Sequence, residues 1–351
     1  MNFCSDNVTG AAPEILEALA RANAGTLPSY GEDALTARVE AKLRDIFETD
    51  LAAFPLATGT SANALALSVL APPYGAVYCH RDAHVAVDEC GAPEFYTGGA
   101  KLVDLPGEHG KLTAPQIAEV LAGAHKGVVH HVQPAAVSLT QATEAGTCYA
   151  AAEVAAIAAA ARPYGVRLHM DGARFANALA FLKASPAEIT WRAGIDILSF
   201  GATKNGALAA EAVVIFDKAL AAEFAFRRKR AGHLFSKMRV LSAQLDAYLE
   251  DGLWLKNARH ANAMAKRLAE GLARIPGARL AHPVEANEIF VDLPEHAIRG
   301  LLADGFQFYR WLGEDRTLLR LVTAFDTREA DVAAFIAAAE RHAARADERV
   351  A

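Results

Sequence analysis

Short apolar runs alternate with helix-period segments through the first 220 residues, and this alternation restricts the chain to an α/β layering around a mainly parallel sheet. Three runs carry the reading: 128–132 (VVHHV), 166–170 (VRLHM) and 195–200 (IDILSF). Each follows a helical stretch and reads as a strand. The Ala-rich segment 149–161 is a helix, since Ala has the best helical propensity. The strands end in polar or glycine-containing sequence: Gln133-Pro134, Asp171-Gly172-Ala173-Arg174 and Gly201-Ala202-Thr203-Lys204. Open α/β sheets bind ligands at the carboxyl ends of their strands, so chemistry is expected at these exits. A further run, 212–216, returns a few residues after Lys204 and implies a local reversal rather than a crossover helix. From about residue 222 the pattern turns to long helices with basic residues, then to a shorter α+β segment from 280 onward. A boundary is expected within 243–252, dividing the chain into a large domain, 1–245, and a small C-terminal one, 246–351.

Composition removes whole classes of function. With 35 Lys and Arg against 41 Asp and Glu, the chain has no general basic field for nucleic acid. Its four cysteines, Cys4, Cys79, Cys90 and Cys148, show no metal or disulfide spacing. The opening MNFCSDNVTG has no signal-peptide pattern, and no apolar run approaches the roughly 18 residues of a membrane span. Even 149–161 is too short and is interrupted by Glu153. The expectation is a cytoplasmic protein that meets neither membrane nor nucleic acid. The twelve histidines include no HxxxH pair or Cys/His cluster, so no metal is expected either.

Three local signals, in order along the chain, point to chemistry. Leu56-Ala57-Thr58-Gly59-Thr60-Ser61-Ala62-Asn63 precedes an apolar helical run, and free N–H groups at a helix start favour a phosphate. The same turn also suits ordinary N-capping. Asp171 ends an apolar strand, where a carboxylate can hold a pyridine nitrogen protonated; it also fits a turn or cap. Lys204 lies between hydroxyl and glycine residues at another strand exit, a setting for a desolvated amine nucleophile, with a surface-turn lysine as the plain alternative. His130 and His131 would point to opposite faces of their strand, so only one can approach a site. His131 is a minor candidate base beside a structural role, and Gln133 is a possible substitute. The charge run Arg227-Arg228-Lys229-Arg230 reads mostly as a solvated helix face.

These residues resemble the fold-type I enzymes that depend on pyridoxal 5′-phosphate (PLP), and within them the threonine aldolase and β-eliminating lyase group. The resemblance rests on SDNVTG at 5–10, HVAVDECG at 84–91, DGAR at 171–174, SFGATKNG at 199–206 and LRLVTAFDT at 319–327. It implies an α/β fold with a mainly parallel seven-stranded sheet flanked by helices and a smaller C-terminal α+β domain. It implies PLP held as a Schiff base on Lys204, Asp171 against the pyridinium nitrogen, His84 stacked on the ring, phosphate at Gly59, Thr60 and Ser61, and Thr58, Arg174, Thr203 and Arg239 among the other cofactor-binding residues. Ser5, Arg174 and Arg320 would surround a substrate carboxylate. Tyr30 and Arg239 would serve the site across a subunit interface, in a homodimer or homotetramer. The activity implied is cleavage of L-threonine, L-allo-threonine and related β-hydroxy-α-amino acids to glycine and an aldehyde, with His84 as first choice for the base. Competing readings are β-elimination from cysteine-like substrates, transamination, and a non-catalytic phosphate-binding α/β protein.

Overall fold

Strands covered on both faces need no polar alternation, and the middle of the chain is built from such strands. The computed structural model describes residues 1–311, 313 and 315–344. Its main sheet has seven strands: β1 (Ala52–Leu56), β2 (Gly75–His80), β3 (Lys101–Leu105), β4 (Gln133–Thr140), β5 (Arg167–Gly172), β6 (Ile197–Gly201) and β7 (Glu211–Ile215). They lie in the order β1-β7-β6-β5-β4-β2-β3. β7 runs antiparallel to both its neighbours, whereas β2 to β6 pair in parallel. The α/β class and the reversal after Lys204 are therefore as expected. The helix Gly59–Leu70 is buried on almost every side, which its all-round apolar sequence permits. On the sheet's other face Phe200 packs among Phe47, Phe175, Tyr248 and Trp254. Among the described residues no helix is long and apolar enough to cross a membrane.

One expected strand is absent. Residues 128–132 form an exposed turn, and the strand begins at Gln133, where the sequence reading had placed an exit. Val128, Val129 and Val132 all face solvent. The Gln133 side chain locks the turn, accepting from Gly127 N–H at 2.7 Å and donating to the carbonyls of Val128 and His131. Pro134 sits at the strand's entry, where a missing N–H is tolerated. The strand's own sequence, QPAAVSLT, is less apolar than the turn before it, yet it is buried because layers cover both faces.

A second, antiparallel sheet joins β8 (Arg279–Leu280), β9 (Glu288–Asp292), β10 (Tyr309–Arg310) and β11 (Leu318–Val322) in the order β10-β11-β9-β8. Its core gathers around Phe335, which meets Phe3, Phe306 and Phe308 edge-on. Phe3 comes from the far end of the chain: its N–H donates to Gln307 O, and Val322 N–H donates to its carbonyl, both at 2.8 Å. That anchor holds Ser5, Asp6 and Asn7 at the seam between the two sheets. The helix Leu253–Leu272 contributes its first turns to the large core and later ones to the small core.

The exits of β5 and β6 approach so closely that no side chain fits between them. A Cβ on Gly201 would stand 2.4 Å from the Ala173 carbonyl oxygen, and one on Gly172 would stand 2.7 Å from Ser199 O. Gly201→Ala is expected to force these exits apart and to cost about 1–3 kcal/mol, the usual range for overpacking. A urea midpoint equal to wild type would contradict this account.

Candidate active site

A cavity of about 240 Å³ opens at the carboxyl ends of the strands, lined by Asn7, Thr58 to Thr60, Asn63, His84, Glu144, Asp171, Ala173, Thr203, Lys204 and Glu211. Its floor is the start of the helix Gly59–Leu70. Thr58 caps that helix, its Oγ1 accepting the Ser61 N–H at 3.2 Å, and its carbonyl takes the Ala62 N–H. The N–H groups of Gly59 and Thr60 are left without intrahelical acceptors, as first-turn donors always are. Ser61 itself is buried and turned inward, donating to Thr58 O at 2.9 Å.

Asp171 is held rather than free. Its Oδ2 accepts Asn63 Nδ2 at 2.8 Å and its Oδ1 accepts Ala173 N–H at 3.0 Å. Asn63 Nδ2 also donates to Glu89 Oε1 at 2.8 Å, and that oxygen lies 2.9 Å from His84 Nδ1. A continuous polar chain thus links His84 to Asp171 through Glu89 and Asn63. The Glu89 bond holds the His84 imidazole above its ordinary value, while burial pushes the Glu89 carboxyl up. Two residues before Asp171 on the same strand, His169 is wholly buried between Ser138 Oγ and Ser199 Oγ, at 2.9 and 3.0 Å. Burial lowers it to about 4, so a neutral ring ties β4, β5 and β6 together behind the carboxylate.

Lys204 follows β6 in the short turn Thr203–Asn205 and is half-buried. Asn205 anchors the turn from below, donating to Tyr248 Oη at 2.7 Å and to Trp254 O at 2.8 Å. Among the described residues the Lys204 ammonium has no hydrogen bond or ion pair, yet its charge is felt by Asp6, Glu144 and Glu211. Asp171 and Lys204, from adjacent strands, line one cavity.

The seam between the sheets holds a buried ion network. Arg174 grips Asp6 with two bonds, at 2.8 and 2.9 Å, and reaches Glu288 at 3.1 Å. Arg320 also binds Glu288, its Nε at 3.1 Å, and lies over the Trp311 ring. Burial would raise the Asp6 carboxyl, but Arg174, Lys204 and Asn287 overcome it and hold the group down at about 2. Both arginines singled out from the sequence therefore already carry carboxylates of the chain itself.

Of the other residues singled out, Ser5 caps the turn Asp6–Val8 next to this network. Ser5, Arg174 and Arg320 are not among the residues that line the cavity, and His131, Gln133, Tyr30 and Arg239 lie away from it. His131, expected on a strand reaching the site, belongs to the exposed turn at the entry end of β4, where it stacks on His125, and Gln133 locks that turn. Tyr30 is exposed, with Lys229 Nζ 4.8 Å from its ring centre, and Arg239 donates to Gly25 O at 3.1 Å. The sequence reading missed Asn63, Glu89, Glu144, Glu211, Asp6 and Glu288. Glu144 lies in the loop that leaves β4, and placing that strand correctly would have exposed it. Burial, with Glu288 nearby, pushes the Glu144 carboxyl up.

The architecture is shared with serine palmitoyltransferase from Sphingomonas wittichii, at a TM-score of 0.72 over 99% of this chain and 87% of that one; at 17% identity the likeness is one of fold. Fold and site together define a PLP-dependent enzyme of fold type I. Within that class the chain belongs to the beta-eliminating lyase family, matched over residues 2–296. It is 47% identical over 330 residues, 94% of each chain, to the low specificity L-threonine aldolase of Pseudomonas sp. (strain NCIMB 10558). A threonine aldolase from Leishmania major superimposes with a TM-score of 0.91 at 31% identity, over 97% of this chain and 99% of that one.

The Asp6 contact has a signed pH consequence. Its folded value, about 2, lies below its ordinary 3.8, so the stability it contributes is complete above the ordinary value and is lost as pH falls toward the folded one. Asp6→Asn is expected to cost about 3–5 kcal/mol at pH 6, the scale for breaking a buried pair. That deficit should shrink between pH 4 and 2 in urea titrations; a deficit constant with pH would refute the assignment.

Proposed function

We propose that this chain is a PLP-dependent lyase that cleaves the Cα–Cβ bond of L-threonine, L-allo-threonine and related β-hydroxy-α-amino acids, yielding glycine and an aldehyde. The observation that carries the reading is the shared cavity of Lys204, Asp171 and the Gly59-Thr60 helix start. The donor set fits the cofactor: an unpaired amine, a fixed carboxylate for a ring nitrogen, and two free N–H groups on a helix dipole for a phosphate. Thr203 stands beside them. When bound, PLP supplies an electron sink for the bond broken at the substrate's α-carbon.

The chain's own groups then divide the remaining work. Lys204 would tether the cofactor, and Asp171, held by Asn63 and Ala173, would serve its ring nitrogen. His84 would hold the ring by stacking, its Nδ1 committed to Glu89 so that Nε2 is the nitrogen left for the substrate. Ser5, Arg174 and Arg320 form the carboxylate end. Arg174 is occupied on three edges by Asp6 and Glu288, so it acts chiefly by holding the wall. Arg320 has its Nε and Nη2 on Glu288, so Nη1, whose partner is the Cys4 carbonyl at 3.4 Å, is the donor it offers to the substrate. His84 removes the β-hydroxyl proton, and Glu144, in the same cavity, is the alternative acceptor.

The active species is a homodimer or homotetramer in this reading. Tyr30 and Arg239, which lie off this chain's own cavity, serve the site of a neighbouring copy. The exposed Phe95 and Phe226, 77% and 80% accessible, supply apolar surface for such contact.

Lys204→Ala is expected to lose both the cofactor's visible absorbance in the protein and all turnover; turnover at the wild-type rate would end the proposal. A base must be deprotonated to act, and the Glu89 bond raises His84, so kcat/KM should climb with pH through a value above 6.5. His84→Asn should retain the cofactor, slow aldehyde release about 100-fold or more, and abolish that rising limb. Pyruvate formed from cysteine in preference to aldehyde from threonine would instead select the β-eliminating alternative.

A further inference from the structure

Glu211 has no part in the chemistry above, yet its position is unusual. β7 lies between β1 and β6 in the sheet, and its first residue pairs with the last residue of each, Leu56 on one side and Gly201 on the other. Those two strands lead directly into the Thr58-Gly59-Thr60 turn and the Thr203-Lys204 turn. The Glu211 carboxyl therefore stands where the expected phosphate seat and the expected lysine tether meet, and it lines the same cavity as both. It is 7% exposed. Its Oε2 accepts the Ala202 N–H at 2.8 Å, and the Thr203 hydroxyl is its other near neighbour.

The charged groups that face it are few. Lys204 favours its ionised form and Asp171 opposes it, while from the helix Arg239–Leu249 the Tyr248 phenol approaches the other side. Burial dominates and pushes the carboxyl up to about 7. Near neutrality, then, Glu211 can exist as an anion or as a hydrogen-bond donor. A phosphate dianion at the Gly59-Thr60 seat repels the first form and is served by the second.

We propose that Glu211 is a protonation gate for the cofactor's phosphate: its carboxyl takes a proton from solvent as the phosphate seats, and the neutral acid faces the anion. This inference rests on the PLP reading of the site. The sign follows from linkage. Binding favours the protonated form, so affinity for the phosphate is full below the free group's value and weakens as pH rises above it.

The test separates the phosphate from the covalent tether by using pyridoxamine 5′-phosphate and pyridoxamine, neither of which has an aldehyde. Both are titrated into the full-length chain stripped of cofactor, between pH 7.0 and 8.5, with tryptophan fluorescence as the readout. The ratio of the two dissociation constants reports what the phosphate contributes. In wild type the phosphate's advantage should fall roughly tenfold across this range, the limit being one decade per pH unit. In Glu211→Gln, whose amide cannot ionise, it should stay constant within about twofold. Calorimetry of wild type at pH 7.5 in two buffers of different ionisation enthalpy should show the phosphate ester taking up most of one proton more than pyridoxamine does. A constant advantage in wild type without extra proton uptake overturns the gate, as does a Glu211→Gln protein that keeps the wild-type slope. Tight binding of the ester with that flat profile leaves the PLP assignment standing. Failure of either compound to bind at any pH removes that assignment and the gate with it.

Discussion

The exits of β5 and β6 meet without a side chain between them, and the site depends on that contact. Backbone lies on backbone where Gly201 crosses Ala173, so the carboxylate near the end of one strand and the amine that follows the other come to line one cavity. Rigidity is supplied from behind. His169 bridges Ser138 and Ser199 across three strands, and Asn205 is tied to Tyr248 and Trp254 below the lysine turn. Positions fixed by sheet and core need no loop to order itself around a ligand, which is the condition for a preorganised site.

The second constraint is electrical. Six carboxyl groups, Asp6, Glu89, Glu144, Asp171, Glu211 and Glu288, surround the cavity and its rear wall, and burial penalises each one that stays charged. The structure resolves this in two ways. Asp6 and Glu288 are paired with the guanidinium groups of Arg174 and Arg320, and Asp171 is held by the donors Asn63 Nδ2 and Ala173 N–H. Glu89, Glu144 and Glu211 are instead raised toward the neutral form. One set of acids is therefore compensated where it stands, and burial holds the other above the ordinary carboxylate range.

Residues at strand exits were legible in the sequence because glycine and a lone polar side chain interrupt strongly apolar runs there. Asp171 and Lys204 were singled out in that way, and the Thr58 to Thr60 turn by its place at the start of an apolar helix. The strand β4 was misplaced because its Ala, Ser and Thr content gives a weaker signal than the valines of the exposed turn before it; only burial by distant layers makes it a strand. That single displacement made His131 a minor candidate for the base beside His84 and hid Glu144. The partners of Arg174 and Arg320 were invisible for another reason. Asp6 and Glu288 lie 168 and 114 residues from Arg174, and Glu288 lies 32 from Arg320 on a neighbouring strand; no local pattern records contacts at such separations. The overall α/β class survived these errors, since it rests on alternation rather than on any one segment.

The anchoring of Phe3 in the small C-terminal core couples the two ends of the chain in time as well as in space. A growing polypeptide emerges with its first residues long before β11 and the helix Glu329–Ala344 exist, so the segment that carries Asp6 has no place to settle during most of synthesis. Until then Arg174 lacks the carboxylate that grips it most fully. The large sheet can form early, but the wall that closes the substrate end is assembled last. Closure of the seam around Arg174 is thereby deferred until the residues of the small core have been made.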